Sequence, residues 1–195
     1  MSGRTFVIAE EITAKVAERF FYLAEEELIT DVVISSPGGD IGLTYGMHDV
    51  IKFKDIHTHV VGLAQSAAAV LLQAGTWRTM TNASLLMFHA PEESVTDAEF
   101  RLYTQLVEMV AQRSGCNILE AHDLFDNKFI NANRALELNL IDEIAEDAEV
   151  MRWTRDGRNC EYPKQAEPTD GYGNPWREGI DPEPGEVPTR PADPS

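Results

Sequence analysis

Ser66 lies in the stretch Gly62-Leu63-Ala64-Gln65-Ser66-Ala67-Ala68-Ala69, directly after the apolar run His59-Val60-Val61. A serine that attacks a carbonyl needs close backbone approach and a free amide beside it to hold the oxyanion. Small neighbours permit both. Upstream, Val32-Val33-Ile34-Ser35-Ser36-Pro37-Gly38-Gly39 ends a β-rich run in a turn whose glycines can aim N–H groups outward. Downstream, Leu85-Leu86-Met87-Phe88-His89-Ala90-Pro91 delivers a histidine at the end of an apolar strand. Oxyanion donors, serine and base thus follow in chain order, each at a strand end. Singly, these features are a turn, a helix N-cap and a structural histidine. Together they are the parts of a serine hydrolase.

The elements that would position them follow from periodicity. Arg4 to Ala9 reads as a first strand. Ile12, Val16, Phe20, Leu23 and Leu28 mark a helix over Glu11 to Leu28. Asp31 to Ser36 is a strand, and Leu43, Met47, Val50 and Ile51 mark a second helix. His57 to Leu63 is the next strand, and Ser66 to Ala74 a small-residue helix ended by Gly75. Thr76 to Thr81 and Ser84 to Phe88 read as a hairpin around Asn82-Ala83. Thr96-Asp97-Ala98-Glu99 opens a helix running to Gln112 as a capping box, with Phe100, Tyr103, Leu106 and Val110 on one side. Shorter helices follow near Ile118 to Phe125 and Asn133 to Leu138. Alternating strands and helices predict an α/β fold with a mostly parallel sheet, wound by right-handed crossovers into a spiral of β-β-α units.

The 195 residues suffice for one domain with a sizeable core, and 43% are hydrophobic. A formal net charge of −17 argues against nucleic acid and against an anionic membrane surface. No run of 18 apolar residues suggests a membrane span. The first residues lack a signal-peptide core, and Cys116 and Cys160 are too few for a disulfide framework, so the expected location is cytoplasmic. No nucleotide-binding loop is present. His57 and His59 share one strand face that could hold a metal. A partly exposed strand edge is the reading adopted, and no metal is assigned.

The order S-P-G-G, then G-x-A-x-S-x-x-A, then M-x-H-x-P resembles the ClpP family, the caseinolytic serine proteases whose subunits stack into a closed barrel. The resemblance runs from about Arg4 to Ile144 and implies the ClpP and crotonase type of fold. It implies Ser66 as nucleophile, His89 as general base, and the backbone N–H groups of Gly39 and Ala67 as oxyanion donors. The family's catalytic aspartate falls on Asn127, counting back from Leu140-Ile141-Asp142 and from Phe129. Asp126, one residue away, is the alternative third member. The resemblance further implies a homo-oligomeric ring, peptide or unfolded-protein substrates, no cofactor for cleavage, and ATP used only by a partner Clp-type ATPase. Three departures bear on that partnership. The N-terminal gate is expected to be missing, the handle is shortened by roughly ten residues between His89 and Asn127, and the usual glycines after His-x-Pro read Glu92-Glu93. A silent ring subunit paired with an active paralogue is the alternative function, and an acyl-CoA enzyme of the same fold a remoter one.

Composition changes after about Val150, and eight of the ten prolines lie from Pro163 onward. The expected organisation is a peptidase domain over 1–150, a surface-packed extension over 151–180, and a disordered acidic tail over 181–195.

Overall fold

The computed structural model describes residues 4–26, 29–90 and 96–146. Glu92-Glu93, the side chain of Glu99 in the expected capping box, the extension 151–180 and the tail 181–195 lie outside the described residues.

The elements alternate along the chain. They run β1 (Arg4–Ile8), α1 (Ala14–Glu26), β2 (Ile29–Ser36), α2 (Ile41–Phe53), β3 (His57–Gln65), α3 (Ala67–Leu72), β4 (Arg78–Thr81), β5 (Leu85–His89), α4 (Asp97–Ser114), α5 (Ile118–Asp123), β6 (Asp126–Asn131), α6 (Ala132–Glu137) and β7 (Glu143–Ala145). Local chemistry sets several boundaries. Asp40 caps α2 by accepting from the Leu43 N–H at 2.9 Å. Asn117 and Glu120 form a reciprocal capping box on α5.

The sheet has seven strands in the order β1-β2-β3-β4-β7, with β5 joined to β3 and β6 to β5. Every pairing is parallel except β5 with β6. The α/β, mostly parallel architecture is therefore the observed one. β3 serves two neighbours in turn: Thr58 to Val60 pair with β4, and Leu63 to Gln65 pair with β5.

This corrects the hairpin expected around Asn82-Ala83. β4 and β5 both run parallel to β3 instead of turning back on one another. The turn Thr81–Ser84, closed by Ser84 N–H to the Thr81 carbonyl at 3.0 Å, is a jog that moves the chain from one end of β3 to the other. Ser84 fixes the jog: its hydroxyl accepts from Gly62 N–H at 2.8 Å and donates to the Val60 carbonyl at 3.1 Å. The strand-edge reading of His57 and His59 is corrected as well. β3 lies between β2 and β4, and His59 is only 3% exposed.

Helices cover the face bearing Phe6, Ile8, Val32, Ile34 and Val60, which are all buried in the main core. Phe20 of α1 meets Phe6 edge-on, ring centroids 5.5 Å apart. All six residues of α3 are buried, so this helix is apolar on every side. Each fully buried Leu or Val there stabilises the fold by roughly 1.5–3 kcal/mol. One charged group shares that interior. Arg78, 0% exposed, donates Nε and Nη2 to the two oxygens of Asp142 at 3.0 and 2.8 Å, and Nη1 to Gln73 Oε1 at 2.8 Å. Backbone bonds repeat the link, Arg78 N–H to Asp142 Oδ2 and Asp142 N–H to the Arg78 carbonyl, both 2.8 Å. The network ties α3, β4 and the start of β7 together.

Candidate active site

Ser66 stands between the last residue of β3 and the first of α3, at φ 53° and ψ −126°. A left-handed backbone costs a serine about 1–3 kcal/mol and persists only where its surroundings enforce it. Here they do. The Ser66 N–H donates to the Met87 carbonyl at 2.8 Å, and the Ser66 carbonyl accepts from Ala69 and Val70. This is the strand–turn–helix placement of a nucleophile elbow. Ser66 occupies the N-cap position, yet its hydroxyl makes no capping bond. The bland reading of this serine as a helix cap therefore does not describe it.

The close approach expected around Ser66 is supplied by Gly38. A Cβ on Gly38 would lie 2.8 Å from both Ser66 Cβ and the Gln65 carbonyl, and 3.2 Å from Ala67 N. The Pro-Gly-Gly turn thus packs directly on the elbow. Gly39 bridges to Ile12 in parallel fashion. That bridge uses the Gly38 carbonyl, accepting from Ile12 N–H at 2.7 Å, and the Asp40 N–H, donating to the Ile12 carbonyl at 2.9 Å. The Gly39 N–H stays out of it. The Ala67 N–H, first in α3, has no carbonyl one turn back to accept it. Among the described residues, neither of the two amides expected to hold the oxyanion has a backbone partner in the sheet or helix. At φ 149°, with Ile12 O 2.4 Å from any added Cβ, position 39 admits only glycine.

β5 carries His89 to the same end of the sheet. Gln65 pairs with Met87, so Ser66 and His89 follow from adjacent strands. Phe88 anchors this end: it is buried, 5.2 Å from Phe125, whose ring meets Tyr103 edge-on at 5.4 Å. His89 Nδ1–H donates to the carbonyl of Ala90 at 2.9 Å. A proton on Nδ1 leaves Nε2 as a bare acceptor, the tautomer a general base needs. Among the described residues no hydrogen bond joins Ser66 Oγ to the ring. Bonds of this kind commonly tighten only with substrate bound.

Both candidates for a third member, Asn127 and Asp126, lie on β6, a strand that the periodicity does not predict. Its residues Asp126-Asn127-Lys128-Phe129-Ile130-Asn131 are mostly exposed and polar, so no alternation announces it. Antiparallel pairing sets Asp126 opposite His89 and Phe129 opposite Met87. The extra residue on β6 makes a bulge there, and Asn127 takes the left-handed conformation at φ 64° that asparagine tolerates. Asn127 is exposed and makes no hydrogen bond to His89 among the described residues. Asp126 is also exposed. Its carboxylate accepts from the Lys128 ammonium and, at 3.0 Å, from the Lys128 N–H. Hydrogen bonding to Lys128 holds the Asp126 carboxyl below the usual carboxylate range.

Two clefts lie elsewhere, one of about 470 Å³ lined by His48, Lys52, Gln73 and Arg113, the other of about 580 Å³ lined by Cys116, Glu120 and Arg134. Neither includes Ser66 or His89. Among the described residues no helix is long and apolar enough to cross a membrane.

Comparison with known proteins bears on this geometry. The family model described as Clp protease matches residues 3–148. An ATP-dependent Clp protease proteolytic subunit of Oltmannsiellopsis viridis is 28% identical over 153 residues, covering 70% of this chain and 78% of that one. A proteolytic subunit 2 of Streptomyces coelicolor is 34% identical over 129 residues, 58% of this chain and 59% of the relative. Among solved structures, the ClpP protease catalytic domain from Plasmodium falciparum is similar at a TM-score of 0.66 and 26% identity, covering 73% of this chain and 85% of that one.

Proposed function

The chain belongs to the Clp protease family, and on that premise we propose that it is a serine endopeptidase acting inside a ring of its own copies. The observation that carries the reading is Ser66: a left-handed elbow with an uncapped hydroxyl, backed by Gly38, at the strand end next to His89. Ser66 Oγ attacks the scissile carbonyl while His89 Nε2 takes its proton. The acyl–enzyme and free amine form as the imidazolium returns that proton to the leaving nitrogen. The Gly39 and Ala67 amides receive the oxyanion. Water then repeats the sequence and frees Ser66. No cofactor enters these steps.

The Ala90 carbonyl supplies half of what a triad aspartate does. It sets the tautomer of His89 but carries no charge to stabilise the imidazolium. A weak peptidase follows. The relatives are proteolytic subunits of an ATP-dependent protease. By analogy the substrates are peptides or unfolded chains, a Clp-type ATPase is the partner that consumes ATP, and the location is cytoplasmic. A second reading, a catalytically silent ring subunit, is favoured by Asn127 at the aspartate position and by Lys128 occupying Asp126. Turnover of short fluorogenic peptides by the wild type and Ser66→Ala separates the two. Activity lost with Ser66 supports the peptidase; equal rates from both proteins overturn it.

A further inference from the structure

We propose that Asp31, His57 and His59 form a binding site for a zinc-class transition-metal ion, at the end of β3 remote from Ser66. Sequence alone offered two histidines at i and i+2. The fold adds the third donor. Asp31 on β2 pairs with His57 on β3, and Thr79 on β4 pairs with His59. Strand alternation puts all four on one face of three adjacent strands.

The ligand atoms of Asp31, His57 and His59 lie within 4.8 Å of one another. His59 Nε2 is 2.8 Å from Asp31 Oδ1, and His57 Nδ1 is 3.9 Å from the same oxygen. A tetrahedral ion with bonds of about 2.0–2.1 Å holds its donors roughly 3.3–3.4 Å apart. The two observed separations bracket that value, so a small inward rotation of the half-exposed His57 ring and a small swing of the partly exposed Asp31 carboxylate away from His59 form the site. His59 is the fixed donor of the set. It is buried, and its Nδ1 lies 2.9 Å from Thr79 Oγ1.

Thr79 is the outer partner a metal-bound histidine requires. Its hydroxyl can donate to Nδ1 or accept from it. Without an ion, Nε2–H faces the Asp31 carboxylate. With one, the single ring proton sits on Nδ1 instead, donated to the Thr79 hydroxyl, and the freed Nε2 lone pair goes to the metal. Two imidazole nitrogens and one carboxylate suit zinc, cobalt or nickel rather than calcium or magnesium, which select oxygen. An Asp31–His59 pair needs no second imidazole to be satisfied; His57 makes the set one for a metal. Partial exposure of His57 and Asp31, 48% and 23% of their side chains, gives the ion an entry path and leaves its fourth position to water. Bound there, the ion ties β2 to β3 and takes no part in the chemistry at Ser66.

The test is calorimetric titration of the chelator-treated full chain with Zn²⁺ alone. One equivalent should bind, and His57→Ala and Asp31→Asn should each weaken binding at least tenfold with unchanged far-UV circular dichroism. His89→Ala, His122→Ala and Cys116→Ala should leave it unchanged. Co²⁺ in place of Zn²⁺ should give tetrahedral d–d bands without thiolate charge transfer. Absence of binding, equal affinity in His57→Ala, or a thiolate band overturns the site. Should Asp31→Asn fold poorly, His57→Ala, at a half-exposed position, decides alone.

Discussion

Asp126 pairs with His89 across the antiparallel β5–β6 ladder, yet its carboxylate is held by Lys128 and the His89 Nδ1–H points to the Ala90 carbonyl. A carboxylate thus lies one residue from Asn127, the position proposed for the third member, without being bonded to His89. Asn127 follows Asp126 in the β6 bulge. The expected outcome is that Asn127→Asp draws the Nδ1–H from a neutral carbonyl to a charged acceptor. Activity should rise, by up to roughly 10⁴-fold on the scale of triad changes. Asparagine and aspartate both tolerate the left-handed backbone there, so folding should be unaffected. Asn127→Ala should lower the rate and Asp126→Ala should change it little. Measuring kcat/KM of the three variants on one peptide checks the ranking; damage confined to Asp126→Ala would transfer the role to that residue.

Gly38→Ala should abolish peptide turnover by displacing the elbow. The new methyl meets Ser66 Cβ and the Gln65 carbonyl at 2.8 Å, and φ 103° is itself unfavourable for alanine. The combined strain is on the order of 1–3 kcal/mol. A drop in melting temperature accompanied by loss of peptide turnover is the expected pair of readings.

The Arg78–Asp142 pair should dominate the acid side of the stability profile. Burial raises the Asp142 carboxyl, but the guanidinium and amide of Arg78 outweigh burial and hold it below the usual carboxylate range. A lowered folded-state pKa adds stability that is fully present above the ordinary carboxylate value and lost as pH falls through the lowered one. Asp142→Asn should therefore cost stability at pH 7, by about 3–5 kcal/mol for a buried charge deprived of its partner. The gap between wild type and variant should narrow below about pH 4. Urea unfolding at both pH values measures it.

Closed rings are expected in solution. A heterologous contact between identical subunits either closes by rotation or propagates, and Phe53, Leu119 and Phe129 leave large apolar side chains exposed on the isolated subunit. Sedimentation velocity at micromolar concentration should show a discrete oligomer. A monomer alone would contradict the ring.

Much of this was legible in the sequence, for physical reasons. β2 and β3 are β-branched runs ending in glycine or small residues, and α1 carries its apolar stripe at helical spacing, so their types and order follow from periodicity. Ser66, His89 and Gly39 stand out in the sequence because each sits where such a run stops. Three features escaped. Asn82-Ala83 carries a turn signal, but whether a turn reverses a strand or steps it sideways depends on the partner waiting across it, here the far half of β3 held by Ser84. β6 is an exposed strand with one buried residue, Ile130, so its pattern reports solvent rather than sheet. Asp31 is 26 residues from His57, and only the parallel register of β2 on β3 makes them neighbours.

Whether Ser66 is an assembled nucleophile is tested most directly by a fluorophosphonate. The reagent phosphonylates a serine only where a base accepts its proton and donors receive the phosphoryl oxygen. Intact mass should show a single adduct on the wild type, mapped to Ser66, and none on Ser66→Ala or His89→Ala. An unlabelled wild type that is folded and oligomeric, or an adduct retained in Ser66→Ala, would contradict the account.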